Sequence, residues 1–407
     1  MYRNTLFSKV FTMSRLMSDS PPKLQDQVNL RNWRTAPFNQ WAFSNVRNLL
    51  PTAVILSNNN KKSFEQSFEN LSSIKVTTSE KNVQSLEEFL NSSYTDCMIV
   101  VKNGKLVWSW YNSYSSQKTP HIIFSISKSL TSLLALSLAE ENIIELDIPI
   151  LRYVPEVEGG AYEDATVRNL LDMNVSSTFE ENYLANSGIF HEYRNATGWN
   201  EVLTENRQGL WDFLPSIPKG ESEHGELIHY CSPHTDMLGW VIEKVAGAKY
   251  GDLLAKRILQ PCGLSSDAYV TLDFFGASRA AGGINICALD LAKIGEMIRC
   301  GGQSNGNVVL QEGTVADICN YDNGVSWKNR FHWADKLFPE GRYRSNWYQT
   351  QSPDKEVFGS GIHGQWLWIN PAKQITIVRM GSHPLPLTIS DKDHVVDTFR
   401  QITHCIS

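Results

Sequence analysis

Two hairpin signals, one in the first third of the chain and one near its C-terminus, constrain the fold of this 407-residue sequence more than any other feature. Residues 97–102 and 105–111 are apolar strand-like runs that flank Asn103-Gly104, a pair suited to the positive φ angles of a two-residue turn. Residues 365–369 and 374–380 flank Asn370-Pro371-Ala372-Lys373 in the same way, and residues 391–403 can form a closing helix. Between the hairpins, about 140–350 reads as helical and loop-rich, with helices predicted at 235–246 and 288–299. Strands at both ends and helices between them predict an α+β fold: one antiparallel sheet built from both termini, flanked by helices, with a helical subdomain inserted. The expected division is an extension over 1–25 and one unit over 26–407. Within that unit the α/β part covers about 86–139 and 355–407, and the helical subdomain about 140–350. Residues 57–85, rich in Asn, Ser, Lys and Glu, read as a polar connection, and there is no internal repeat.

The net charge of -6 leaves no basic footprint for nucleic acid or an anionic membrane. No apolar run approaches the ~20 residues of a membrane span. Seven widely spaced cysteines, an odd number with no Cys-x-x-Cys, suggest neither a disulfide framework nor a zinc module. A reducing, cytoplasmic location fits them. Residues 1–18 hold Arg3, Lys9 and Arg15 with no acid, and apolar residues at helix-like spacing, so a mitochondrial transit peptide is the alternative to an untargeted extension.

Ser125-Ile126-Ser127-Lys128 opens the apolar run 129–139, which has the length and composition of a buried helix. Residues three apart share a helix face, so Lys128 can reach back to the Ser125 oxygen. The helix N-terminus favours an alkoxide there and disfavours an ammonium. Ser-x-x-Lys occurs six times in the chain, and only this copy precedes such a helix. Two readings fit it: a nucleophile beside its base, or an N-cap serine beside a solvated lysine.

Two further segments bear on the choice. Tyr230, in His229-Tyr230-Cys231-Ser232-Pro233-His234, stands just before the predicted helix at 235–246 and could share a proton with Lys128, or plug the helix entrance. Gly359-Ser360-Gly361-Ile362-His363-Gly364 matches the dinucleotide fingerprint in letters but leads into a strand rather than a helix. Glycines at a strand start instead permit close backbone approach of a ligand, as an oxyanion hole requires.

Ser-x-x-Lys, then Tyr-x-Ser, then a glycine-bearing strand near the C-terminus resembles the serine β-lactamase and penicillin-binding-protein superfamily. The resemblance is greatest to the 6-aminohexanoate-dimer hydrolases, the nylon-oligomer hydrolase and carboxylesterase branch. It rests on 38–43, 124–129, 170–173, 230–240, Gly282-Gly283 and 361–368. It implies a serine hydrolase cleaving a small ester or amide through an acyl-enzyme, with no cofactor and no metal. Ser125 would be the nucleophile, Lys128 the base and Tyr230 the proton relay. The backbone N–H groups of Ser125 and Ile362 would form the oxyanion hole, and Tyr183, Trp199, Ser232 and Gly361 would contact substrate. The alternatives are a DD-peptidase or β-lactamase, or a catalytically silent scaffold on the same fold.

Two departures from the family pattern matter. Gly359-Ser360-Gly361 stands where β-lactamases carry Lys or His before Thr-Gly, so the cation expected to hold a β-lactam carboxylate is missing. Tyr193 and Arg194 stand where the nylon-oligomer hydrolases can use an aspartate to hold a substrate amine, which favours esters over amine-bearing amides. His234 and His363 read as structural hydrogen-bonders, because Lys128 already supplies a base, and no metal-ligand spacing is evident.

Overall fold

The computed structural model describes residues 16–58, 61–77, 83–202, 207–328 and 333–406. Most of the expected extension and transit-like segment lies outside these residues. Leu16 is nevertheless buried in a cluster with Val28, Trp33 and Phe43, so packing begins ahead of the boundary expected at residue 25.

Among the described residues the main sheet has nine strands. In chain order they are β1 (Glu65–Gln66), β2 (Thr95–Lys102), β3 (Lys105–Tyr111), β4 (Val325–Ser326), β5 (Arg342–Arg344), β6 (Trp347–Gln349), β7 (Val357–Gly361), β8 (Gln365–Asn370) and β9 (Ile375–Gly381). Their spatial order is β4-β5-β6-β7-β8-β9-β2-β3-β1, antiparallel throughout except where β1 lies parallel to β3. Both predicted hairpins form. Asn103 and Gly104 turn β2 into β3 with φ angles of 52° and 76°, as a two-residue hairpin turn demands. The pairing of β9 with β2, from Ile375 opposite Lys102 to Met380 opposite Cys97, unites the two ends of the chain as expected.

Period-two alternation then sorts the core. Cys97, Ile99 and Val101 of β2 join one cluster while Met98 and Val100 join another; Leu367 and Ile369 of β8 likewise oppose Trp366 and Trp368. In β9, Val378 and Met380 oppose Ile375 and Ile377. Both faces are therefore covered, which is why these strands read as continuous apolar runs. Helices α1 (Ile126–Glu140), α2 (Ser232–Ala246) and α3 (Ala288–Arg299) supply the first cluster. Helix α4 (Ile389–Ile406) covers the other face with Val395, Val396, Phe399 and Ile402.

The central stretch differs from its helical reading. Strands β4, β5 and β6 extend the main sheet from within it, and Ala268–Thr271 and Ile284–Ile286 form a second sheet with Thr52–Ile55 and His121–Ile122. The polar connection at 57–85 also carries short strands, Lys75–Thr77 and Val83–Ser85. Strands of two to four residues are too brief to display a two-residue period. All seven cysteines are unpaired, and among the described residues no helix is long and apolar enough to cross a membrane.

Helix α3 lies close on the sheet at Gly295, where a Cβ would sit 2.6 Å from Thr376 Cγ2 and 2.8 Å from Leu367 Cδ1. Gly295→Val should therefore cost about 1–3 kcal/mol through overpacking, seen as a lower urea midpoint at unchanged slope. Gly313→Ala, in the helix Glu312–Cys319 with no atom within 4 Å of the new carbon, serves as the control and should hold stability or raise it by about 0.5–1 kcal/mol. Equal midpoints for Gly295→Val and the native chain would refute the close approach.

Candidate active site

Ser125 caps α1 with φ -66° and ψ -9°, and its hydroxyl makes no capping bond. Phe124, at φ 43°, turns the chain from the strand His121–Ile122 into the helix and presents Ser125 at its mouth. One turn on, Lys128 Nζ lies 2.9 Å from Ser125 Oγ and 3.2 Å from the Ala281 carbonyl oxygen. The pairing expected from the i, i+3 spacing is thus present, and the reading of Lys128 as a solvated side chain is not. Lys128 is 1% exposed. Burial pulls its pKa down from 10.5 to about 8; the charges of Glu181 and Asp236 act upward and that of Arg279 acts downward.

The Tyr230 ring centre is 4.9 Å from Lys128 Nζ, so the amine meets the face of the ring. The phenol is hydrogen-bonded to Ser125 and, being buried, is held protonated well above its ordinary range. Ser125 Oγ thus stands between the Lys128 amine and the Tyr230 phenol, in contact with both.

Strand β7 closes the opposite wall. A Cβ on Gly361 would lie 2.7 Å from the Ile123 carbonyl oxygen, so glycine is what lets β7 approach the segment ahead of Ser125. The glycine run continues through a short turn at Ile362–Gly364 into β8, the strand context expected for it. Among the described residues, the N–H groups of Ser125 and Ile362 donate to no protein acceptor. Both residues line the same cleft.

That cleft has two lobes, of about 570 and 370 Å³, which share Ser125, Glu181, Tyr183 and Ile362. Trp199 and Ser232 line the larger, Tyr230 and Gly361 the smaller. Trp199 is fixed by an Nε1–H donated to Thr271 Oγ1 at 3.2 Å and by edge contacts with Trp33 and Phe124. Ser125, Tyr183, Trp199, Tyr230, Ser232, Gly361 and Ile362 therefore line one cleft, with Lys128 behind its wall.

Glu181 is the residue that sequence reasoning missed. Its carboxylate accepts from the Tyr183 hydroxyl at 2.8 Å, from Ser232 Oγ at 2.7 Å and from the Ser232 N–H. Glu181 thus places a carboxylate in both lobes of the cleft. Tyr193 does not face the substrate space as a free hydroxyl: it donates to Asp236 Oδ2 at 2.5 Å, and Arg194 donates to the Ala185 carbonyl. Asp236 also pairs with Arg279 and accepts from the Ala281 N–H at 2.8 Å, so it positions the carbonyl that Lys128 touches. His363 Nδ1–H donates to the His383 carbonyl oxygen at 2.7 Å, and burial lowers its pKa to about 3. His234 Nδ1 is 3.1 Å from the Tyr162 hydroxyl. Both histidines therefore bond within the frame, as expected.

A family model described as Beta-lactamase matches residues 95–397. The chain belongs to the β-lactamase family. It is accordingly a hydrolase. It is 29% identical over 372 residues to the 6-aminohexanoate-dimer hydrolase of Paenarthrobacter ureafaciens, across 90% of this chain and 91% of that protein. The solved structure of a Bacillus anthracis protein named for the same hydrolase superposes with a TM-score of 0.84 at 24% identity, covering 94% of this chain and 98% of that one. A class C β-lactamase superposes with a TM-score of 0.57 at 17% identity, covering 78% and 93%. Likeness at such identities speaks for the shared fold.

A lysine from another element stands beside Ser360 of the third motif. Lys392, in the first turns of α4, donates to Ser360 Oγ at 2.7 Å and stands 4.2 Å and 4.6 Å from the ring centres of Trp333 and Trp366. It lines the smaller lobe, and burial draws its pKa down to about 7. The segment Gly359-Ser360-Gly361 carries no cation of its own, and Lys392 is the cation nearest to it in the lining of the smaller lobe.

An amine that removes the serine proton must be unprotonated, so kcat/KM for an activated ester should rise with pH along a limb centred near 8. Glu181 holds the Lys128 pKa up, so Glu181→Gln should move that limb to lower pH. A limb that stays in place or moves upward would assign the titration to another group, such as Lys392.

Proposed function

We propose that this chain is a serine hydrolase that cleaves a small ester or amide through an acyl-enzyme. The observation that carries the reading is the buried Lys128 amine 2.9 Å from the Ser125 hydroxyl. Neutral Lys128 takes the Oγ proton as Ser125 attacks the substrate carbonyl, while its second contact, the Ala281 oxygen, keeps the nitrogen aimed. The N–H groups of Ser125 and Ile362 receive the developing oxyanion. Tyr230, still protonated, passes a proton to the leaving alkoxide or amine; water then attacks the ester on Ser125 and the same groups act in reverse.

A fluorophosphonate probe should label Ser125, with the adduct mapped by mass spectrometry and absent from Ser125→Ala. Lys128→Arg should lose roughly 10²–10⁴-fold in kcat/KM, because a guanidinium stays protonated. Labelling elsewhere, or near-native turnover in Lys128→Arg, would remove the assignment, and a chain that takes up no probe would be the silent scaffold.

The choice of substrate rests on two charges. Glu181 offers an acid to a substrate amine, and Lys392 a cation to a substrate carboxylate. The Paenarthrobacter relative is named for the dimer of an amino acid, which would present both groups. Lys392 also favours a second reading, a DD-peptidase or β-lactamase, since those substrates carry a carboxylate. A panel of p-nitrophenyl esters, short amides with and without terminal charges and a chromogenic β-lactam separates these. In Lys392→Met, kcat/KM should fall about tenfold or more for carboxylate-bearing substrates and little for neutral esters; an equal fall for both would make Lys392 a structural group.

A further inference from the structure

His229, Cys231 and His234 each offer a ligand atom, and these three atoms lie within 4.8 Å of one another. In sequence they are His-x-Cys-x-x-His, split between the loop that carries Tyr230 and the first turn of α2. Cys231 and His234 are fully buried, and His229 is half-buried at the edge of the smaller lobe. One observation within this cluster has no explanation in the protein frame. Tyr162 engages Nδ1 of His234, whereas the buried Nε2 has no partner in hydrogen-bond geometry among the described residues. A buried imidazole nitrogen left over in this way, beside a thiol and a second imidazole, is a ligand in waiting.

We propose that His229, Cys231 and His234 form a binding site for a borderline-soft divalent cation, of which Zn²⁺ is the type. Imidazole and thiolate are the donors such ions select, and three protein ligands leave a fourth position for water from the adjoining lobe. Tetrahedral zinc spaces its nitrogen and sulfur donors by about 3.3–3.6 Å, so closure requires about an ångström of movement. His229, at the cavity edge, is the side chain placed to supply it. The Tyr162 hydroxyl accepting from Nδ1–H would fix the tautomer that leaves the Nε2 lone pair free. Binding replaces the S–H bond of Cys231 with a sulfur–metal bond and releases one proton to solvent, so the site goes from two positive charges on the free ion to one on the complex. Both residues that flank Tyr230 would then be tied to one ion. On the reading of Tyr230 as the proton relay, occupancy couples metal to hydrolysis.

The test is equilibrium dialysis of the full chain against Zn²⁺, followed by Co²⁺ substitution read by absorption. One equivalent should bind, and Co²⁺ should give visible bands of tetrahedral intensity with a thiolate charge-transfer band in the near ultraviolet. Cys231→Ser should abolish that charge-transfer band, His229→Ala should weaken binding at least tenfold, and Ser125→Ala, which alters no ligand, should bind as the native chain does. No stoichiometric binding, or binding unaffected by both ligand variants, would overturn the site. Zn²⁺ should also depress ester hydrolysis reversibly on addition of a chelator. Stoichiometric binding without inhibition would leave the site standing and remove its coupling to Tyr230.

Discussion

The ladder between β9 and β2 is the constraint on which everything else rests. Neither end of the chain makes a covered sheet by itself: β2 and β3 come from the first third, β7, β8 and β9 from the last, and β9 and β2 supply the seam. Because side chains alternate across that seam, it also fixes which residues face α1 and which face α4. A slip of one residue would exchange Ile99 and Val101 for Met98 and Val100 and dismantle both cores at once. The same seam brings β7, with Gly361 and the Ile362 N–H, against the segment that ends in Ser125. The site is a consequence of the sheet being closed.

Around Ser125 the protein handles charge by withholding water. Lys128 has no carboxylate in direct contact; its partners are a hydroxyl, a carbonyl and the face of a ring. Desolvation therefore outweighs the more distant attraction of Glu181 and Asp236. Asp236 is itself satisfied by Arg279, Tyr193 and the Ala281 N–H, which leaves it as scaffolding for the loop beneath the lysine. Tyr230 is kept protonated by the same burial that favours the neutral amine. Burial thus lowers the pKa of the amine and raises that of the phenol, and both groups stand against one oxygen.

Much of this was legible in the chain because it was local. The Asn103-Gly104 turn, the apolar run behind Ser125 and the glycines leading into β8 each carry a signature within a few residues, and each element formed where expected. What was not legible depends on distant parts meeting. Glu181 stands in an irregular segment with no periodicity, and only its contacts with Ser232 and Tyr183 mark it out. Lys392 reads as one more polar residue of a C-terminal helix until α4 folds over Ser360. Tyr193 sits in the position where an acid was sought, and a sequence cannot tell that its hydroxyl is already committed to Asp236. Strands β4 to β6 are too short to announce themselves, although β6 carries Tyr348 into the smaller lobe.

The two lobes of the cleft touch only at Ser125, Glu181, Tyr183 and Ile362, and otherwise have separate walls. The larger is built from 30–36, 183–200 and 279–282; the smaller from 228–230, Trp333, Tyr348 and Lys392. Selection acting on such a site can change one wall at a time. A new group on one side of the scissile bond can be accommodated by replacements in the larger lobe while the smaller stays as it was, and the reverse holds equally. On the proposed reading the bond-breaking centre is common to both lobes, so a change there would affect both halves of the substrate, whereas preference for each half can be altered separately.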